Sequence, residues 1–175
     1  IMSDISKKLD ELKEERTLCN LFSIICSNGD AVAAEYMEDG EIRNIKYSDY
    51  ERITFAGAKK LAQKLSVVER NTFVALRYAN NPLWPAAFWA VVLAGYRPLL
   101  LDSACDDTQV MHVLRQAGSR TIITDTDVGI TGIIKVSPDE FLSLDADDTD
   151  YLPVYSDAMA LCTSGTTATP KVYVY

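Results

Sequence analysis

The sequence predicts an α/β fold with a mostly parallel sheet flanked by helices and an N-terminal β-hairpin. Three observations carry this. Apolar strand-like runs alternate with helical patterns between residues 72 and 136, the rhythm of βαβ units. Glycines or capping residues mark the ends of those helical patterns. The strand runs, such as Pro98–Leu101, are continuously apolar, as in a sheet covered on both faces. No internal repeat is present.

Element by element, the pattern opens on a leading helix, residues 1–17, in which Ile5, Leu9 and Leu12 form one apolar stripe on a charged surface. An apolar run follows at Leu18–Cys26. Strand-like runs at Ala31–Glu38 and Glu41–Tyr47 flank Asp39-Gly40. A type I′ hairpin turn wants positive φ at both central positions, and Asp-Gly supplies it. Ser48 and Glu51 have capping-box spacing for a helix that buries Tyr50, Ile53, Ala58, Leu61 and Leu65.

Thr72–Tyr78 is the first strand of the βαβ series. Asn80-Asn81-Pro82 opens a helix whose body, Trp84–Leu93, is apolar all round and therefore buried on most sides. Gly95 ends it and Arg97–Leu101 is the next strand. Asp106 and Gln109 cap a third helix with Val110, Val113, Leu114 and Ala117 inward and Gly118 at its C-terminal end. Strands at Arg120–Thr124 and Gly132–Val136 complete the series. Asp145, Asp147, Asp148 and Asp150 then mark residues 145–156 as an acidic loop or linker. Two apolar runs, Asp157–Cys162 and Val172–Tyr175, enclose the stretch 163–171.

Composition bounds the function. The 175 residues include 17 basic and 25 acidic side chains, a net charge of −8. Binding to nucleic acid draws on clustered Lys and Arg, which are missing here, so no nucleic-acid partner is expected. No stretch reaches the ~18 apolar residues of a membrane span. Four widely spaced cysteines and one histidine lack zinc-ligand spacing. Reduced thiols and a cytoplasmic location are the expectation.

The stretch Thr163-Ser164-Gly165-Thr166-Thr167-Ala168-Thr169-Pro170-Lys171 carries the chemistry. Small residues let a backbone approach a ligand closely, successive N–H groups make an anion-binding concavity, and hydroxyls and an ammonium add donors. A polar turn is the competing account, since the same residue types populate turns. The spacing of a Walker A loop is not present.

Thr163-Ser164-Gly165-Thr166-Thr167 with Pro170-Lys171 resembles the signature T-S-G-T-T-G-x-P-K-G of AMP-dependent synthetases and ligases, the acyl-adenylate-forming enzymes. Two upstream elements match that family in order. Ile45-Lys46-Tyr47-Ser48-Asp49-Tyr50 resembles its (T/S)-Y-x-(E/D)-L element, and the segment from Trp89 to Leu99 resembles its A-x-L-K-A-G-A-x-x-x-P-L element. The resemblance spans nearly all of residues 1–175 and implies the N-terminal portion of the AMP-binding domain of a longer enzyme. Such an enzyme uses ATP and Mg²⁺ to activate a carboxylic acid as an acyl-adenylate, then passes the acyl group to coenzyme A or a carrier-protein thiol. Thr163, Ser164, Gly165, Thr166, Thr167 and Lys171 are then the phosphate-contacting set. No catalytic residue of the family falls within these residues, so the chain alone is expected to be inactive. Ala168 and Val172 replace two family glycines. A non-catalytic binding module on the same scaffold is the alternative, and a receiver-like signalling domain ranks behind it. His112, Cys162, Trp84 and Trp89 read as packing residues, Asp125 to Gly129 as a turn.

Overall fold

A computed structural model describes residues 2–146, 150–163 and 171–175. Its elements in chain order are α1 (Met2–Glu14), α2 (Leu18–Cys26), β1 (Val32–Glu38), β2 (Glu41–Lys46), α3 (Tyr47–Lys64), β3 (Phe73–Arg77), α4 (Trp84–Leu93), β4 (Arg97–Leu100), α5 (Asp107–Gln116), β5 (Thr121–Thr124), β6 (Ile134–Val136), β7 (Ala160–Thr163) and β8 (Lys171–Val174). Among the described residues the strands form an antiparallel β1–β2 hairpin and a six-stranded sheet ordered β6-β5-β3-β4-β7-β8. Every pairing in the larger sheet is parallel except β7–β8. The α/β class, the parallel sheet and the hairpin are those the sequence predicts.

Alternation along the strands splits the core into two layers. Val74 and Leu76 of β3 and Ile123 of β5 join α2, α3 and α4 on one face. Ala75, Leu99 and Ile122 point the other way, onto Val110, Val113 and Leu114 of α5. Trp84–Leu93 is buried from Ala86 onward because α4 lies between the sheet and α3. Both tryptophans of α4 pack in this layer, Trp89 at 5.1 Å from Phe22 and Trp84 stacked 5.9 Å from Phe88.

Local chemistry sets several ends. Asp39 and Gly40 have φ of 51° and 80°, the hairpin turn their side chains permit. At α5, Gln109 N–H donates to Asp106 Oδ1 (2.8 Å) and Asp106 N–H to Gln109 Oε1 (3.0 Å), a reciprocal capping box. The C-terminal end of α5 closes as a Schellman motif, with Ser119 N–H on Leu114 O and Gly118 N–H on Arg115 O.

Two local expectations shift. The expected cap of α3 by Ser48 and Glu51 is replaced by one two residues earlier: the helix begins at Tyr47, and Lys46 N–H donates to Asp49 Oδ2 at 3.0 Å. Ser48 is drawn instead to Asp30, 3.2 Å away. The apolar run Leu18–Cys26, which periodicity over so short a stretch leaves without an element, is a helix. It starts where Asn20 N–H donates to the Thr17 hydroxyl, and it buries Phe22 and Cys26. In α1, Leu12 is half-buried, while the Ile5 and Leu9 side chains lie outside the described set.

Within the acidic segment 145–156, residues 147–149 lie outside the described residues. Its last residues strap the end of α4: Val154 N–H donates to Leu93 O and Ser156 N–H to Val92 O, both at 2.9 Å. Gly95 makes this close approach possible. Its φ is +81°, and a Cβ there would stand 2.8 Å from Val154 O.

Candidate functional site

In open parallel sheets, ligands bind outside the carboxyl ends of the strands, and β7 brings the 163–171 stretch to that edge. β7 runs parallel to β4, with Leu99 opposite Ala160 and Leu100 opposite Leu161. It therefore ends beside the loops that follow β3, β4 and β5. The antiparallel β8 begins directly opposite, with Thr163 paired to Lys171. These two candidate residues are thus brought together at the mouth of the connection, Lys171 with its side chain exposed. Ser164, Gly165, Thr166 and Thr167 lie outside the described residues, as do Ala168 and Pro170.

Val172 is described. It pairs with Cys162 in the β7–β8 ladder and packs on the α5 layer. A β-branched residue suits that extended, half-buried position, so the strand itself accounts for valine where the family signature has glycine.

Sequence reasoning passes over Arg77, the last residue of β3. Strand order places the topological switch point between β3 and β5, because the chain leaves β3 toward β4 and leaves β5 toward β6. Arg77 fills that point and is 4% exposed. Its guanidinium donates to Thr124 Oγ1 (3.3 Å), Cys105 O (2.9 Å), Thr126 Oγ1 (2.6 Å) and Asp127 O (3.2 Å). One planar fork thus ties the loops after β4 and β5 to the end of β3. The signal was an arginine closing an apolar strand, Val74-Ala75-Leu76-Arg77. With the crevice filled by a side chain, the open part of the edge is the β7 side.

Five aspartates on this edge shape loops. Asp102 accepts from Ala104 N–H, Asp106 from Gln109 N–H, Asp107 from Gly129 N–H, Asp125 from Ala79 N–H and Asp127 from Val128 N–H, at 2.8–3.2 Å. Among the described residues no three His, Cys, Asp or Glu side chains are grouped to hold a metal ion. The donor chemistry of 163–171, hydroxyls with an ammonium, fits a phosphate chain.

The remaining expectations resolve locally. Cys162 is half-buried, and burial with Cys105 beside it pushes its thiol up to about 11, the opposite of an activated nucleophile. All four cysteines are free. His112 meets Gln116 one turn along α5, Nε2 to Nε2 at 2.7 Å. No helix among the described residues is long and apolar enough to cross a membrane. A groove of about 940 Å³ runs between the start of α2 and Tyr155–Met159 with Tyr175; Lys171 does not line it.

The family model described as AMP-binding enzyme matches residues 26–175, from the end of α2 through β8. The chain belongs to the AMP-binding enzyme family. It is 30% identical over 112 residues to nonribosomal peptide synthetase 30 of Fusarium vanettenii, covering 58% of this chain and 2% of that protein. The N-terminal subdomain of Klebsiella oxytoca NpsA, solved with 3-hydroxybenzoyl-AMSN, superposes with a TM-score of 0.73 at 21% identity. That match covers 90% of this chain and 40% of the NpsA chain. NpsA-ThdA, an artificially fused adenylation-PCP di-domain from the same organism, matches with a TM-score of 0.71 at 20% identity, over 90% of this chain and 32% of that one. This AMP-binding enzyme chain thus has the NpsA subdomain fold over less than half of that subdomain's length.

Proposed function

We propose that the chain is the N-terminal part of an ATP-dependent ligase that activates a carboxylic acid. In that reaction a carboxylate oxygen attacks the α-phosphorus of ATP, the acyl-adenylate forms and pyrophosphate leaves. A thiol then attacks the acyl carbon and AMP departs. Family membership across residues 26–175 carries the reading. Thr163, Ser164, Gly165, Thr166 and Thr167 bind the ATP phosphates with Lys171, whose partner across the ladder is Thr163. The negative charge gathered around phosphorus in the transition state calls for donors held in place, and the β7–β8 pairing of Thr163 with Lys171 supports that reading.

The acceptor is a carrier-protein thiol rather than coenzyme A. Support comes from the relatives, a nonribosomal peptide synthetase and an adenylation domain fused to a PCP. The reaction belongs in a compartment that supplies ATP and keeps the four thiols reduced, the cytoplasm.

The test is ATP affinity in the full-length protein. Lys171→Ala weakens it by about 1–3 kcal/mol, the value of a hydrogen bond to a charged group. Unchanged affinity would return the stretch to a polar turn and put the non-catalytic binding module in its place.

A further inference from the structure

A second site lies on the other side of α4. The cavity of about 240 Å³ between α2, β1, α3 and the start of α4 is walled by Phe22, Trp89 and Tyr50 and left open by the small side chains Ala34 and Ala86. Among the described residues, none of β7 or β8 lines it, and neither does any Lys, Arg, Asp or Glu.

One polar group in its wall is unexplained by the fold. Thr54 is 0% exposed, lines the cavity, and its hydroxyl has no hydrogen-bond partner among the described residues. A helical threonine normally donates back to the carbonyl four residues earlier. A buried hydroxyl that does neither gives up its hydration for nothing and calls for a reason. Its neighbour Tyr50 is already committed, its hydroxyl donating to Pro82 O.

We propose that this cavity binds a small neutral aromatic molecule carrying one hydroxyl group, whose oxygen or proton pairs with Thr54. Size, lining and charge each select for that class. An apolar protein cavity of ~150 Å³ already admits benzene, so this one takes a substituted ring. Phe22, Trp89 and Tyr50 offer ring faces and edges for tilted or offset contact. With no Lys, Arg, Asp or Glu among the described lining residues, the wall disfavours a carboxylate or an amine, whose charge would go uncompensated.

Phenol and toluene are the probes, titrated into the full chain by calorimetry and by ligand-observed NMR. Phenol saturates one site, and the isosteric Thr54→Val lowers the phenol-to-toluene affinity ratio roughly tenfold, the worth of one hydrogen bond. Ala34→Leu, which fills the cavity from the hairpin, removes binding of both probes while the melting transition shows the chain still folded. The proposal is overturned if neither probe saturates at millimolar concentration. It is overturned equally if the ratio is the same in Thr54→Val, or if Ala34→Leu binds phenol as the native chain does.

Discussion

At the scale of single residues, glycine and arginine do work here that no neighbouring type could take over. Gly95 ends α4 with φ +81° and lies under Val154, whose carbonyl oxygen would be 2.8 Å from an added Cβ. Its own carbonyl accepts from Asn71 N–H at 2.8 Å, and the next residue, Tyr96, is fully buried with its hydroxyl on Leu65 O. Gly95→Ala therefore combines a left-handed backbone with a backbone clash, and should cost about 2–4 kcal/mol. Urea unfolding followed by the fluorescence of Trp84 and Trp89 measures it. A loss under about 1 kcal/mol would mean that the 150–156 strap yields freely. The glycine was legible as a helix stop, because such stops are local. The strap it admits was not, because it joins residues some 60 positions apart through main-chain hydrogen bonds. Arg77 was not legible for a related reason: its acceptors lie at the end of β5 and on two loops distant in sequence, and periodicity reports only which face a residue is on.

At the scale of elements, helix ends were legible wherever cap and helix shared a few residues, as at Asp106–Gln109 and Gly118. At α3 two adjacent residues compete to cap the helix, and Asp49 wins because Ser48 turns to Asp30. That choice has a pH signature. The Lys46 backbone N–H, helped by Arg52, holds the Asp49 carboxyl below its ordinary 3.8. Lys64 and the Ser137 backbone hold Glu140 below 4.5, and Arg97 holds Asp157 below 3.8. A carboxyl whose folded value is depressed contributes stability above its unfolded value and loses it as pH falls through the folded one. The chain should thus be progressively less stable below about pH 4.5. Asp49→Ala should lower stability at pH 6 by about 1 kcal/mol, the worth of a helix cap, and flatten the fall toward pH 3. Urea midpoints at the two pH values decide this; an unchanged slope would show that Asp49 makes no net use of its charge.

At the scale of the whole molecule, the two described residues of the proposed site, Thr163 and Lys171, pair at the edge of the sheet. β7 and β8 deliver Thr163 and Lys171 to the carboxyl side of the sheet, but nothing among the described residues stands opposite them to hold a nucleotide base, a metal or an acyl group. The aspartates nearby are occupied by backbone N–H groups, Arg77 has filled the switch-point crevice, and Tyr173, Val174 and Tyr175 of the last strand are 47%, 59% and 70% exposed. The family motif was legible because it is a contiguous run of residue types. The chain spans 40% of the NpsA chain whose fold it shares. Phosphate donors alone give binding energy without the alignment that carboxylate attack on phosphorus requires. The 175 residues on their own should give no ATP–pyrophosphate exchange with any carboxylic acid, while the full-length protein exchanges with its own substrate and loses that exchange in Lys171→Ala. Exchange by the 175 residues alone would mean that the strand edge by itself aligns both reactants, and the division of labour argued here would have to be abandoned.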